Sequence, residues 1–282
     1  MVQMRPQTKQ QTPTQTSKQT LEQNPEQRSL QQQQHPLINR LAELIKSIWQ
    51  NQLMIFPYET PKDLGYVEGS LEGEQLTIEN TCYQTFQFRK LHLELAKVGS
   101  HLDILHCVMF PHSGYDLPIF GVDIVAARGV ITAAIVDLSP VSDDGTFSAD
   151  YAKALSQVPP YNFSHPRDLP AWGDIFSNHC LFVSPKSPEE ERAFLNQATQ
   201  YLSLHCQLAC EAKSADTLED RARILAGQRR YCLQQQKNDK TRRILERAFD
   251  KEWAQRYLQT MLFDVVPEVA PEAILADSGE KP

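Results

Sequence analysis

The sequence predicts an α/β fold, specifically a three-layer α/β/α sandwich with a central antiparallel sheet. Between residues 66 and 138, short runs rich in β-branched and apolar residues are separated by turn residues. No helical pattern of about 10–15 residues lies between these runs, although parallel strands would need such a crossover. Helical patterns flank this region, so helices can cover both faces of the sheet. The predicted strands are 76–78, 91–98, 102–110, 120–126 and 130–138.

Helices are predicted on both sides of the strand region. Apolar residues at helical spacing follow His35-Pro36 and continue to Trp49. Ser187 and Pro188 give an N-cap and a first helical residue for a helix to about residue 210. Thr217 begins another helix with a pattern that resembles a capping box. A last helix is predicted from apolar residues that step by four: Leu245, Phe249, Trp253, Tyr257 and Met261.

The two ends of the chain differ in composition from its middle. Residues 1–35 contain 12 Gln and 5 Thr and few large apolar side chains, so we expect a disordered extension. Residues 268–282 are predicted to form a loose acidic tail, which leaves residues 36–267 as the folded domain. The net charge of −7 argues against a nucleic-acid binder. No apolar stretch approaches the roughly 18 residues of a membrane span.

Four ionisable side chains interrupt the apolar strand runs. His92 and Glu94 alternate with three leucines, so the period of two puts both on the face opposite those leucines. His106 and Asp123 lie in the middle of two later runs. Burying such groups costs several kcal/mol unless they are hydrogen-bonded or change protonation state. Together they indicate a pocket with a polar floor that is suited to proton transfer.

Structural explanations compete with this interpretation. A single His or Asp in a strand is usually a satisfied core or edge residue, and periodicity alone does not prove that the four share one face. His205, Cys206 and Cys210 lie on one predicted helix, but the surrounding leucines favour core packing over a metal site. The run 237–243 reads as a solvated helix start, or as a site for carboxylates or an acidic partner.

Eight stretches of the chain resemble one protein family, the ferredoxin-dependent bilin reductases, over residues 37–266. The resemblance implies an α/β/α sandwich and the four-electron reduction of biliverdin IXα to phycocyanobilin. It also implies no bound cofactor and no metal, with electrons delivered singly by an external [2Fe-2S] ferredoxin. The stretches are 63–74 (DLGYVEGSLEGE), 78–85, 88–99, 102–111, 120–125, 134–140, 172–177 and 234–243.

The resemblance assigns catalytic roles to five residues. Asp123 matches the central aspartate that protonates the bilin, and His106 matches the histidine beside it. Glu94 matches the glutamate that protonates the D-ring vinyl group. His92 matches a buried histidine linked to His106, and Asp239 matches an aspartate that takes part in A-ring reduction.

Three further residues correspond to substrate-binding positions. Arg167 and Lys240 match residues that hold the propionates, and Asn238 lies next to Lys240. The implied partners are biliverdin IXα and ferredoxin, with no nucleic acid and no membrane. We expect a monomer in the cytoplasm of a cyanobacterium rather than in a plastid.

Three alternatives stay open from the sequence. The first is a bilin reductase of another regiochemistry, which would form phycoerythrobilin or a dihydrobiliverdin. The second is a carrier that binds bilin without turnover, and the third is a structural α/β domain.

Overall fold

A computed structural model describes residues 29–142 and 144–266, and within them eight strands form one sheet. All neighbouring strands pair antiparallel, in the order β1-β3-β4-β5-β6-β7-β8, with β2 also paired to β3. The predicted antiparallel meander is therefore confirmed. The strands are β1 (Phe56–Pro57), β2 (Tyr66–Leu71), β3 (Glu74–Gln84), β4 (Phe88–Val98), β5 (Leu102–Pro111), β6 (Ile119–Ala127), β7 (Val130–Ser139) and β8 (Leu181–Val183).

Helices cover both faces of the sheet, as an α/β/α sandwich requires. Three helices pack on one face around Ile38, Tyr151 and Leu202. Three others pack on the opposite face around Tyr231 and Tyr257. The first group is α1 (Pro36–Gln52), α2 (Ala149–Ser156) and α3 (Pro188–Glu211), and the second is α4 (Leu218–Gln235), α5 (Asp239–Ala248) and α6 (Lys251–Tyr257).

The capping residues named in the sequence begin their helices in the structure. Ser187 accepts a hydrogen bond from the backbone of Glu190 at the start of α3, and Pro188 is the first helical residue. Thr217 does the same for Asp220 at the start of α4. These side chains satisfy backbone N–H groups that have no partner within the helix.

The predicted last helix is broken in two, so the expectation of one continuous helix was wrong. The α5 helix ends before Phe249, and the side chain of Asp250 then caps α6 by accepting from the Trp253 backbone. The step of four continues across the break because both helices bury the same side. The rings of Phe249 and Trp253 stack at 3.9 Å, and those of Trp253 and Tyr257 at 4.8 Å. A π-helical turn, Leu258–Leu262, follows α6.

The end of the predicted N-terminal extension is ordered. Residues Gln31–Gln33 form a 3₁₀ turn, and the buried Gln34 donates from Nε2 to the carbonyl oxygen of Ala96 at 2.9 Å. The backbone N–H of His35 donates to Asp103. Gln34 is ordered because its amide pairs with a strand carbonyl, which its composition could not indicate. Residues 1–28 and the predicted tail 268–282 lie outside the described residues.

In the described part of the chain, no helix combines the length and the apolar character that a membrane crossing needs.

Candidate functional site

The strand register aligns four polar residues into one row across the sheet. Asn80 on β3 lies opposite Glu94 on β4, Glu94 lies opposite His106 on β5, and His106 lies opposite Asp123 on β6. Directly opposed residues share a face. We call these four residues the polar row. His92 lies two residues from Glu94 on β4 and therefore on the same face.

One end of the polar row is a hydrogen-bonded pair of imidazole and carboxylate. The Nδ1–H of His106 donates to Oδ1 of Asp123 at 2.6 Å, a short, charge-assisted geometry. Burial disfavours the charged imidazole, but the charge and hydrogen bond of Asp123 favour it, and the net effect raises the pKa of His106. His106 is buried, whereas the side chain of Asp123 is 43% exposed. The pair therefore holds a proton at the boundary between the core and an open surface.

On the other side of His106, the row holds a buried carboxyl group. Glu94 is 7% exposed, and its Oε2 lies 2.5 Å from the hydroxyl of Tyr257. Burial raises the pKa of Glu94 and Asp123 adds to this effect, while His106 acts in the opposite direction. The net direction is towards the neutral acid, the form that can donate a proton.

His92 is fully buried and forms part of the same network. Its Nε2 lies 2.7 Å from Oδ1 of Asn80, and its ring lies edge-on to that of His106 with 5.8 Å between centroids. Burial lowers the pKa of His92 well below its ordinary value of 6.5, and Lys90 and His106 lower it further. His92 is therefore a neutral imidazole.

The sheet face around Asp123 is only half covered. On β6 and β7, the alternate residues Val122, Ile124 and Val136 are buried, while their neighbours Val125 and Ile135 on the Asp123 face are partly exposed. The register continues the row from Asp123 through Ile135 to Phe182 on β8. We call this surface the open face. An apolar, flat surface with one carboxylate at its edge fits a planar conjugated ligand.

Arg167 lies at the β8 edge of the sheet. Its guanidinium stacks over the Phe182 ring at 4.9 Å and donates to the carbonyl of Thr132. Both Arg167 and Phe182 line a surface cavity of about 600 Å³. The structure thus puts this predicted substrate-binding residue next to the end of the row.

Three further predicted residues lie at the start of α5. Asn238 caps the helix by accepting from the backbone of Lys240 at 3.2 Å. Asp239 is exposed and pairs with Arg243 at 3.6 Å. Within the described ranges, none of the three side chains has a hydrogen bond or ion pair with the polar row.

Three residues contribute to the site although the sequence did not indicate them as site residues. Asn80 and Tyr257 complete the network around Glu94, and Phe263 lies edge-on to His106 at 5.5 Å. The alternation of β3 could have placed Asn80 on the row once the meander was drawn. No sequence signal places the Tyr257 hydroxyl, because that depends on how α6 packs over the sheet.

The turn that carries Phe263 is fixed by a buried lysine. Nζ of Lys90 donates to the carbonyl of Met261 at 2.9 Å and pairs with Asp264 at 2.5 Å. Burial lowers the pKa of Lys90, and Asp264 opposes this effect. The β4 strand thereby anchors the chain segment that packs on the imidazole of His106.

The predicted helix with His205, Cys206 and Cys210 is α3. His205 is buried and forms a 2.8 Å hydrogen bond with the hydroxyl of Tyr151. Among the described residues, no group of three or more His, Cys, Asp or Glu side chains is arranged to hold a metal ion.

Comparison with known proteins defines the family. Residues 42–264 match the family model described as ferredoxin-dependent bilin reductase. The chain belongs to the ferredoxin-dependent bilin reductases and is an oxidoreductase.

Two relatives with high identity carry the same name. The phycocyanobilin:ferredoxin oxidoreductase of Synechococcus elongatus is 56% identical over 237 residues, which cover 84% of this chain and 96% of that protein. The protein of the same name from Trichodesmium erythraeum is 55% identical over 232 residues, with 82% and 94% covered. Tomato phytochromobilin synthase, solved in complex with biliverdin, is 14% identical, with a TM-score of 0.65 over 84% of this chain and 87% of that one. This last likeness shows the shared fold.

Proposed function

We propose that this chain reduces biliverdin IXα to phycocyanobilin by four electrons, taken singly from a reduced [2Fe-2S] ferredoxin. The family supports the electron donor, and the name shared by the 55–56% identical relatives supports the product. The observation that carries the proposal is the polar row, which brings two proton-holding groups to the border of the open face. We propose that the chain acts as a monomer.

The substrate supplies the conjugated system that carries the radicals. Adding four electrons to biliverdin requires four protons, so the protein's task is to orient the pigment and to supply protons. A flat tetrapyrrole on the open face would contact Val125 and Ile135 and would meet Asp123 at its edge. Each added electron makes the pigment more basic, so a proton held at that edge can follow it.

The His106–Asp123 pair is proposed to protonate the pigment. Because the pair shares one proton over 2.6 Å, it can release the proton with little rearrangement. Asp123 contacts the open face, and His106 holds the proton behind it. His92 is proposed to support the orientation of His106, whose ring it touches edge-on.

Glu94 is proposed to protonate the D-ring vinyl group. A neutral carboxylic acid is needed for this step, and burial favours that form of Glu94. Its place next to His106 on the row puts it within one strand spacing, about 5 Å, of the first proton donor.

The exposed polar residues are proposed to act on the outer side of the pigment. Arg167 and Lys240 are cations that can pair with the propionates, and Asn238 lies beside Lys240. Asp239 is proposed to take part in A-ring reduction. This requires the pigment to extend towards the start of α5.

Anaerobic turnover tests the proposal. The protein is mixed with biliverdin IXα, ferredoxin and a ferredoxin-reducing system, and the pigment is identified by chromatography against standards. We expect phycocyanobilin. Phycoerythrobilin or a dihydrobiliverdin as the end product would mean that the chain reduces biliverdin with another regiochemistry. Tight binding with no reduction would make the chain a carrier. The absence of binding at micromolar biliverdin would refute the site itself.

A further inference from the structure

The side chain of Asn80 has a fixed orientation. Its amide Nδ2 donates to the backbone carbonyl of Leu64 at 2.7 Å, which directs Oδ1 towards the interior. Two groups approach that oxygen, Nε2 of His92 at 2.7 Å and the hydroxyl of Tyr257 at 3.0 Å. An amide oxygen has two lone pairs and no proton, so each neighbour can hydrogen-bond to it only as a donor.

The hydroxyl of Tyr257 has two short contacts but only one proton. It lies 3.0 Å from Asn80 Oδ1 and 2.5 Å from Glu94 Oε2. Asn80 Oδ1 cannot donate, so both contacts are hydrogen bonds only if the proton of Tyr257 points to Asn80. The 2.5 Å contact is then a hydrogen bond only if Glu94 is the donor, which means that Glu94 carries a proton.

We propose that Asn80 and Tyr257 are positioning residues that keep Glu94 protonated, by directing the single Tyr257 proton away from the carboxyl group. The resulting chain runs from the Glu94 O–H to the Tyr257 oxygen, and from the Tyr257 O–H to Asn80 Oδ1. The inference rests on the proposed role of Glu94 in vinyl reduction. It explains why the tyrosine next to this buried acid contacts an amide oxygen, which can only accept a hydrogen bond, rather than a second donor.

Taken together, the titratable groups around Glu94 do not favour its ionised form. His106 on β5 faces it and attracts a carboxylate, but Asp123 on β6 repels one and is paired with that same imidazole. His92 on β4 is neutral because it is buried. On the helical side, Tyr257 of α6 is the titratable group in contact, and burial raises its pKa well above 10.0.

Infrared difference spectroscopy of the full chain tests the inference directly. The carboxylic-acid C=O band of Glu94, assigned by its loss in Glu94→Gln, is followed against pH. In Asn80→Leu, the freed Tyr257 proton can donate to the carboxylate, so we expect the band to disappear about one pH unit lower than in the wild type. In Tyr257→Phe, the acid loses its acceptor, so we expect the band to move to higher frequency.

The second variant keeps the test decisive if Asn80→Leu fails to fold. Tyr257→Phe retains the ring that stacks on Trp253, and Tyr66→Phe is the matched control, since it removes an exposed Tyr–Glu hydrogen bond of 3.0 Å. No acid band near neutral pH in the wild type would overturn the inference. An unshifted band in Tyr257→Phe would do the same.

Turnover separates this inference from the proposed function. We expect Asn80→Leu to retain A-ring reduction and to lose vinyl reduction at a lower pH than the wild type. If the wild type forms no phycocyanobilin, the proposed function fails, yet the infrared titration still decides the protonation of Glu94.

Discussion

Replacement of Asp123 by Asn removes the charge that holds a proton on a buried imidazole. A hydrogen bond to a charged group contributes about 1.5–3 kcal/mol. Because the Asp123 side chain is 43% exposed, solvent screens it, and the lower end of that range applies. About 1.5 kcal/mol corresponds to about one pKa unit. We therefore expect the pKa of His106 to fall by about one unit in Asp123→Asn.

The same change alters how stability depends on pH. In the wild type the pKa of His106 is raised above 6.5, so the pair stabilises the fold fully below about pH 6.5 and loses this effect as pH rises through the raised pKa. In the variant the Asp123 charge no longer opposes burial, which lowers the pKa. The loss in free energy of unfolding should therefore be larger near pH 5 than near pH 8, up to about 1.5 kcal/mol.

Two measurements check these expectations. Proton NMR of the imidazole resonances gives the His106 titration, and urea unfolding at both pH values gives the stability. Asp150→Asn is the control, because Asp150 is exposed on α2, on the other side of the sheet. An unchanged His106 titration in Asp123→Asn, or an equal loss of stability at both pH values, would refute the reasoning. Turnover adds a third readout: normal phycocyanobilin output from the variant would refute the catalytic role of Asp123.

Three further substitutions give independent outcomes. Glu94→Gln should spare A-ring reduction and lose the vinyl step, and chromatography showing phycocyanobilin at the normal rate would contradict this. Asp239→Asn should slow A-ring reduction without changing stability, since its side chain is exposed; equal rates of A-ring reduction would remove it from the mechanism. Gly227→Ala should lower the free energy of unfolding in urea by about 3 kcal/mol. The new Cβ would lie 1.8 Å from the Val141 carbonyl oxygen, and the cost of this clash exceeds the roughly 1 kcal/mol gained in helix propensity. Gly65→Ala, with no atom within 4 Å of its new Cβ, is the control.

The sheet could be predicted because local and long-range information agreed. The alternation of leucine with His92 and Glu94 fixed which side of β4 is polar, and short turns fixed antiparallel pairing. What alternation could not give is the register. A shift of one residue between β5 and β6 would turn Asp123 to the other face, away from His106. The turns at Gly99 and Gly129, both with positive φ, form the β4–β5 and β6–β7 hairpins, whereas β5 and β6 are joined by the longer connection 112–118.

The helical side of the site was harder to predict, for a physical reason. The step of four from Leu245 to Met261 describes which side of a helix is buried and is unaffected by a break at Phe249-Asp250. The break is encoded in the capping ability of Asp250, a signal that also occurs on exposed helix surfaces. The position of the Tyr257 hydroxyl over Glu94 depends on that break and on the packing of α6.

The His106–Asp123 pair and Glu94 differ in how they can be resupplied with protons. Asp123 is 43% exposed, so the His106–Asp123 pair can take up a proton from solvent after each transfer. Glu94 is 7% exposed, and its hydrogen-bond chain through Tyr257 and Asn80 leads to the fully buried His92. A reduction that consumes four protons therefore has one site fit for repeated delivery and one fit for a single delivery per cycle. The proposed protonation of a single vinyl group by Glu94, with the remaining protons passing through Asp123, would match this division.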